Sequence, residues 1–321
     1  MIRNIDEARA RDQADAQRRD VAFARNTPGY GRWVAWMVVL VIAANFLWLV
    51  AINPNFEWAV VSKWFTESSV LTGLEVTLGL TVVSMILGVL LGLPLAVGRL
   101  SDNRLFNGLC ALYIWFFRGT PLLVQLIFWY NLSTLFPTLS LSVPWTDITF
   151  AKWNTNAVIT PLTAAIAGLA LNEAAYMAEI IRAGLLSVDS GQVETTQAFG
   201  MSRVRALRRI IIPQAMRAII PPTGNQLISM IKATSLVSVI AMGDLLYSVQ
   251  AVYNRTFEII PMLMVAVIWY LIVTSILNLG QSAVERYYAR GSRRDVTVAK
   301  RRAKDAGAPP TKSIVARKEE I

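Results

Sequence analysis

The sequence predicts an all-α, polytopic membrane protein of about six transmembrane helices, with both termini and one structured insert in the cytoplasm. Three observations lead there. The 321 residues are 55% hydrophobic and only 16% charged, whereas soluble domains carry about 25% charged residues. Uncharged apolar runs of membrane-crossing length recur along the chain. Lysine and arginine gather in alternate segments between those runs, the pattern that sets topology.

The elements follow in order. Residues Met1–Arg32 hold seven arginines, little apolar periodicity and no small-residue cleavage site. They read as a cytoplasmic tail, disordered or lying as a surface helix. Trp33–Ile52 is a charge-free run of 20 residues, and at about 1.5 Å per residue it spans a hydrocarbon core of about 30 Å. Trp33, Trp36 and Trp48 suit the interfaces, and Asn53-Pro54 ends the run. Val76–Gly98 is the second uncharged run, followed by Arg99 and Arg104. A third span covers roughly Leu105–Phe136 and is interrupted by Arg118, with Gly119 and Pro121 loosening the helix there. Pro137–Asn156 reads as a polar connection. The fourth span is about Ala157–Ile181, with Glu173 and Glu179 inside it. A basic insert follows. The fifth span begins near Ala215 and reaches Lys232, and the apolar stretch Ser235–Val249 either re-enters the membrane or continues the helix. Ile259–Val284 is the sixth span. The tail from Glu285 is basic, and Ala306–Pro310 disfavours folding there. Such a tail touches anionic lipid or is simply solvated.

The N-tail, the Arg99–Arg104 turn, the insert and the C-tail hold nearly all the basic residues. The loops near Lys63, Lys152 and Arg255 hold few. Six crossings then place the insert in the cytoplasm.

Composition also excludes functions. With no histidine and one cysteine, Cys110, the chain has no Ser–His or Cys–His catalysis, no histidine metal site and no internal disulfide. No phosphate-cradling Gly-x-x-x-x-Gly-Lys-Ser/Thr loop occurs, so no catalytic residue and no bound cofactor are expected. The net charge of +10 lies outside the apolar runs and does not indicate nucleic acid.

The insert, Gly191–Pro213, carries Glu194, Arg203, Arg205, Arg208 and Arg209. Asp189 or Ser190 is a candidate N-cap, and Gln192 completes a capping-box pattern with Asp189. Gly200 fits the left-handed position after a helix end. Ser202 caps a second helix in which Met201, Val204, Leu207 and Ile211 recur on one face. Pro213 marks its end or a kink. The prediction is helix, glycine turn, helix; the plain alternative is a solvated basic loop.

The stretch "ETTQAFGMSRVRALRRIIIP" resembles the EAA loop of permease subunits of binding-protein-dependent ABC importers. Glu194, Gly200, Ile210 and Pro213 stand at the matching spacings, while Thr195, Thr196 and Ile212 depart from the usual residues. "FFRGTPLLVQL", "LNEAAYMAEIIRAGL" and "PPTGNQLISMIKATSLVSVI" resemble segments of the polar amino-acid permeases within that family, with Ala233 where an acid is common. The resemblance covers roughly Val70–Val284. It implies a non-catalytic permease core over 70–284, preceded by an extra helix at 33–52, in the inner (cytoplasmic) membrane. It implies that Glu194, Thr195, Thr196, Ala198, Gly200, Ile210 and Pro213 form an ATPase-coupling surface. The implied partners are a cytoplasmic ABC ATPase dimer that binds the ATP and Mg, a second permease subunit, an extracytoplasmic solute-binding protein and membrane lipid. Transport would proceed by alternating access.

Charges within spans need partners or water. Glu179 and Arg182 pair at i, i+3. Arg118 pairs with an acid or snorkels. These and Lys232 read as structural. Pro221-Pro222 breaks the fifth span and frees carbonyls. Asn172, Glu173, Asn225 and Ser229 either line the solute path or make polar contacts between helices. An ion-coupled secondary transporter is the alternative function, favoured by intramembrane carboxylates; no duplicated hydropathy pattern supports it.

Overall fold

In the computed structural model, residues 30–143 and 148–305 are described. Residues 1–29 of the expected Met1–Arg32 tail and the Ala306–Pro310 break lie outside them, while Tyr30–Arg32 already belong to the first helix rather than to the tail. The chain divides into two units, Met1–Glu57 and Trp58–Ile321.

In the first unit, α1 is Tyr30–Ile52. A single 3-10 turn, Pro54–Phe56, follows, with the Asn53 side chain accepting from the Asn55 N–H at 3.0 Å. In the second unit the helices are α2 (Trp58–Phe65), α3 (Ser68–Arg99), α4 (Arg104–Gly119), α5 (Leu122–Tyr130) and the single turn α6 (Leu132–Leu135). A hairpin of β1 (Thr138–Ser142) and β2 (Thr149–Asn154) comes next, then α7 (Thr155–Val158) and α8 (Pro161–Leu186). The rest is α9 (Ser190–Ala198), α10 (Arg203–Ala206), α11 (Ile212–Ala233), α12 (Leu245–Thr256) and α13 (Ile259–Asp305). Among the described residues four helices are long and apolar enough to cross a membrane, or up to six spans if each of two bent pairs is one.

The pair α3–α8 forms the centre. Small residues let the backbones approach: a Cβ at Gly88 would lie 2.6 Å from Glu173 Cγ, and one at Gly92 2.8 Å from Met177 Cβ. Residue numbers rise together along the contact, so the two helices run parallel. Close approach through small residues is how helices associate where lipid supplies no hydrophobic drive. Met177, Ala178, Ile181, Ile114 and Phe117 bury one cluster beside it. Leu245, Val249 and Met262 bury another, joining α12 to α13.

Several expectations change. The third span is not one rod: α4 and α5 meet at 101°. Thr120 is extended, as a residue before proline prefers, and Gly119-Thr120-Pro121 makes the corner. The Gln125 amide donates to the Phe117 carbonyl at 3.0 Å and the Thr120 carbonyl at 3.1 Å, satisfying backbone that the bend exposes. The expected polar connection is an antiparallel hairpin pairing Leu139 with Trp153, with a bulge at Leu141/Ser142. Pro221-Pro222 does not break its span, because α11 runs through both. Extra donors surround the site: Thr223 Oγ1 bonds the Ile219 carbonyl at 2.8 Å and Gln281 Nε2 bonds the Pro221 carbonyl at 2.8 Å. After α11 a 3-10 segment, Thr234–Ile240, leads through left-handed Ala241 (φ 56°) into α12, bent by 46°. Finally, α13 passes the expected end at Val284 and continues to Asp305. No proline follows Pro261 until Pro309, and the segment is rich in good helix formers.

Candidate functional site

Two sets of residues are built by this frame: the insert at one end of α8, and the polar side chains within the spans.

The insert begins where α8 stops. Asp189 Oδ1 accepts from the Gly191 N–H at 2.8 Å and caps α9. The Gln192 backbone N–H bonds the Asp189 carbonyl at 3.0 Å; the reciprocal side-chain half of a capping box is not formed. Thr195 and Thr196 turn their hydroxyls back to the Gly191 and Val193 carbonyls at 2.6 and 2.7 Å. Their polarity is thus absorbed within the helix, and Thr196 is buried. The helix ends in a Schellman turn. Gly200 N–H bonds the Gln197 carbonyl, Met201 N–H bonds the Thr196 carbonyl, and Gly200 takes φ +63°. Ser202 occupies the next N-cap position without a side-chain cap bond. From there α10 passes through a π turn, Leu207–Ile211, straight into α11. Pro213 therefore sits in the first turn of α11 rather than ending a separate helix, and the missing N–H is harmless there.

Burial revises the expected faces. Ala206 is buried, while Val204 is 75% exposed and Leu207 is also exposed. Glu194, Ala198 and Gly200 are exposed, Ile210 is half-buried and Pro213 is exposed. Phe199, absent from the expected surface, is 80% exposed. Its position immediately before the helix-ending glycine was the available signal. Phe199 and Val204 are exposed on the same insert as the exposed Arg203, Arg205, Arg208 and Arg209. The insert thus exposes apolar and basic side chains together and connects two core helices, α8 and α11.

The intramembrane residues divide. Glu173 is buried and accepts from Gln226 Nε2 at 3.2 and 3.3 Å. Neighbouring Asn172 points elsewhere, donating to the Phe117 carbonyl at 2.9 Å and to Gln125 Oε1 at 3.4 Å. Asn225 and Ser229 are exposed on α11. The four residues are not brought to one point. Asn172 braces the α4–α5 corner, Glu173 joins α8 to α11, and Asn225 and Ser229 form a polar line on the open side of α11. Glu179 and Arg182 meet at 2.7 Å. Arg118 is exposed, with its guanidinium 5.3 Å from the Tyr176 ring centroid and its charge within electrostatic reach of Glu179. Lys232 is exposed at an open cavity of about 300 Å³, with Ser235, Tyr270 and Thr274 among its lining residues.

Residues 84–289 match the family described as binding-protein-dependent transport system inner membrane component. The chain is 44% identical over 270 residues to the arginine transport system permease protein ArgU of Corynebacterium glutamicum, covering 83% of each. It is 40% identical to the octopine transport system permease protein OccM of Rhizobium radiobacter, over 67% of this chain and 83% of that one. A crystal structure of an amino acid ABC transporter with histidines aligns with TM-score 0.59 and 33% identity, over 75% of this chain and 98% of that one.

Proposed function

The chain belongs to the family of inner membrane components of binding-protein-dependent transport systems, and from that premise we propose that it is the permease subunit of an ATP-driven importer of polar amino acids or related compounds. The capped insert carries this reading. A topological loop needs only charge, whereas this one is two helices locked by Asp189 and Gly200, exposing Phe199 and Val204 together with arginines. Such a surface fits a groove on a cytoplasmic ATPase. Motion of that ATPase would reach the membrane through short connections, because only Ser187–Asp189 separate α8 from α9 and α10 continues into α11. The ATP and Mg belong to that partner. A second permease subunit would complete the path, and an extracytoplasmic binding protein would deliver the solute.

The substrate class rests on relatives named for arginine and octopine. The path follows the exposed Asn225–Ser229 line of α11, with Glu173 holding Gln226 behind it. The ion-coupled alternative draws no support from the family or its members.

The test is purification of the native complex in mild detergent beside Glu194→Ala and Gly200→Asp. An ATPase that accompanies the native chain and is depleted at least several-fold from both variants meets the expectation. Retention in both variants would remove the insert as the docking element. Uptake in vesicles should require ATP inside and fall when unlabelled arginine competes; uptake driven by an ion gradient alone would overturn the reading.

A further inference from the structure

The insert and the polar line leave one built feature unused. An apolar cavity of about 260 Å³ opens between α3, α4 and α8, lined by Leu91, Pro94, Leu95, Phe106, Cys110, Tyr113 and Leu171. Its wall is fixed. Tyr113 donates its hydroxyl to the Leu171 carbonyl at 2.9 Å, and a Cβ at Gly98 would collide with Cys110 and Phe106.

One end of this groove is basic. Arg99 lies one turn beyond Leu95 on α3, on the same face. Its guanidinium donates to Asn107 Oδ1, and Asn107 Nδ2 returns a bond to the Arg99 carbonyl at 2.9 Å. Asn107 sits on α4 between the lining residues Phe106 and Cys110. The clamp therefore ties Arg99 to α4 at this mouth of the groove, next to Gly98, whose added Cβ would meet the lining residues Cys110 and Phe106. Arg104 stands exposed at the start of α4, and the exposed Asp102 is the one acid in the turn. Among the described residues neither arginine forms a direct ion pair, although the Arg99 charge acts at longer range on Glu179, which is paired with Arg182. Since α3 and α8 run parallel, this mouth is at the same membrane face as the insert.

We propose that this groove binds an anionic phospholipid, with one acyl chain along Leu91, Leu95 and Tyr113 and the headgroup phosphate on Arg99 and Arg104. The chemistry is complementary at both ends. A dry groove takes hydrocarbon, and basic pockets between spans on the cytoplasmic side take acidic headgroups. Asn107 pre-sets the Arg99 side chain, which lowers the ordering needed on binding. The apolar length alone would accept any lipid; the arginines make the site selective for charge.

Native mass spectrometry of the intact transporter complex tests this, with phosphatidylglycerol and phosphatidylcholine as the two probes. The native complex should retain phosphatidylglycerol in preference to phosphatidylcholine. Arg99→Ala should lower that preference about fivefold, as should Arg104→Ala, the effect of about one basic residue close to a charged headgroup. Leu91→Trp fills the groove from its exposed side and should release one bound lipid of either kind. Arg286→Ala removes the same charge from α13 and should change nothing. If Arg286→Ala weakens binding as much as Arg99→Ala, the attraction is diffuse and the site is refuted. Lipid retained by Leu91→Trp would equally refute it. Loss of a subunit rather than lipid from Leu91→Trp would show that a protein partner covers the groove instead. An unchanged ATPase content in the Arg99→Ala complex keeps this result separate from the docking reading.

Discussion

At the scale of single residues, burial decides which polar groups hold the structure. Among the described residues Glu173 has one hydrogen-bonding side-chain partner, Gln226, and its Cβ and Cγ pack against Gly88 of α3. Gln226→Leu leaves that carboxylate without its donor. It should destabilise the purified protein by about 1–3 kcal/mol, the usual penalty for a buried group deprived of its partner. The double variant Gln226→Leu with Glu173→Leu should recover much of the loss, since both partners are then apolar. A thermal-unfolding series in one detergent checks the pair; a double variant worse than the single would contradict the contact. Gly88→Ala addresses the same spot from α3. Its methyl would stand 2.6 Å from Glu173 Cγ and 2.8 Å from Glu173 Cβ, so the two helices must separate. The expected loss is about 1–3 kcal/mol, typical of overpacking. Gly79→Ala, with nothing within 4 Å of the added atom, is the control and should be close to neutral.

At the scale of elements, the insert depends on one backbone conformation. Gly200 holds φ +63°, and no atom lies within 4 Å of a Cβ built there. Any effect of substitution is therefore conformational rather than steric. Gly200→Ala should weaken the insert by about 1–2 kcal/mol, the strain of a left-handed L-residue. Gly200→Asn should fall between, because asparagine tolerates that region. Protease sensitivity of the insert, ranked Gly, Asn, Ala, would show it; an equal response to both substitutions would place the strain elsewhere. This turn was legible in the sequence because a glycine after a capped polar helix has few other uses. The spans were legible for a similar reason: long uncharged runs have one stable home. What escaped was set by contacts distant in sequence. The α4–α5 corner needs Gln125 and Asn172 to satisfy its carbonyls, and neither announces that role. Pro221-Pro222 reads as a break locally, yet Gln281, sixty positions on, supports the helix there. The strand signal in Thr138–Ser142 was present as alternation but lay inside a short connection. Of the candidate site, the Asp189 cap, the Gly200 turn and the Glu179–Arg182 pairing were visible in spacing, whereas the Ser202 cap and the Gln192 capping box suggested by the same spacing are not formed. The separation of Asn172 from Glu173 was not, because it depends on which neighbouring helix each side chain meets.

At the scale of the whole molecule, connectivity fixes which loops share a membrane face. Thr160 caps the start of α8 through Thr163, and Asp189 opens α9 just beyond its end. Between them α8 is 26 residues, about 39 Å at 1.5 Å per residue, enough for one full crossing. A single crossing by α8 would put the β1–β2 hairpin and the insert on opposite faces. Basic residues favour the insert side as cytoplasmic, with Lys152 the single base on the two strands. The lone cysteine makes the prediction testable, since Cys110→Ala leaves a cysteine-free background. In that background Val204→Cys and Phe150→Cys each place one exposed thiol, in the insert and in the hairpin respectively. A membrane-impermeant maleimide added to intact cells stripped of their outer envelope should label Phe150→Cys and spare Val204→Cys. Inverted vesicles should reverse the pattern. Labelling of both from one side would break the single crossing of α8, and with it the six-span count. Labelling of Val204→Cys alone in cells would keep the crossing but invert the molecule, placing the arginine-rich insert where no cytoplasmic ATPase could reach it.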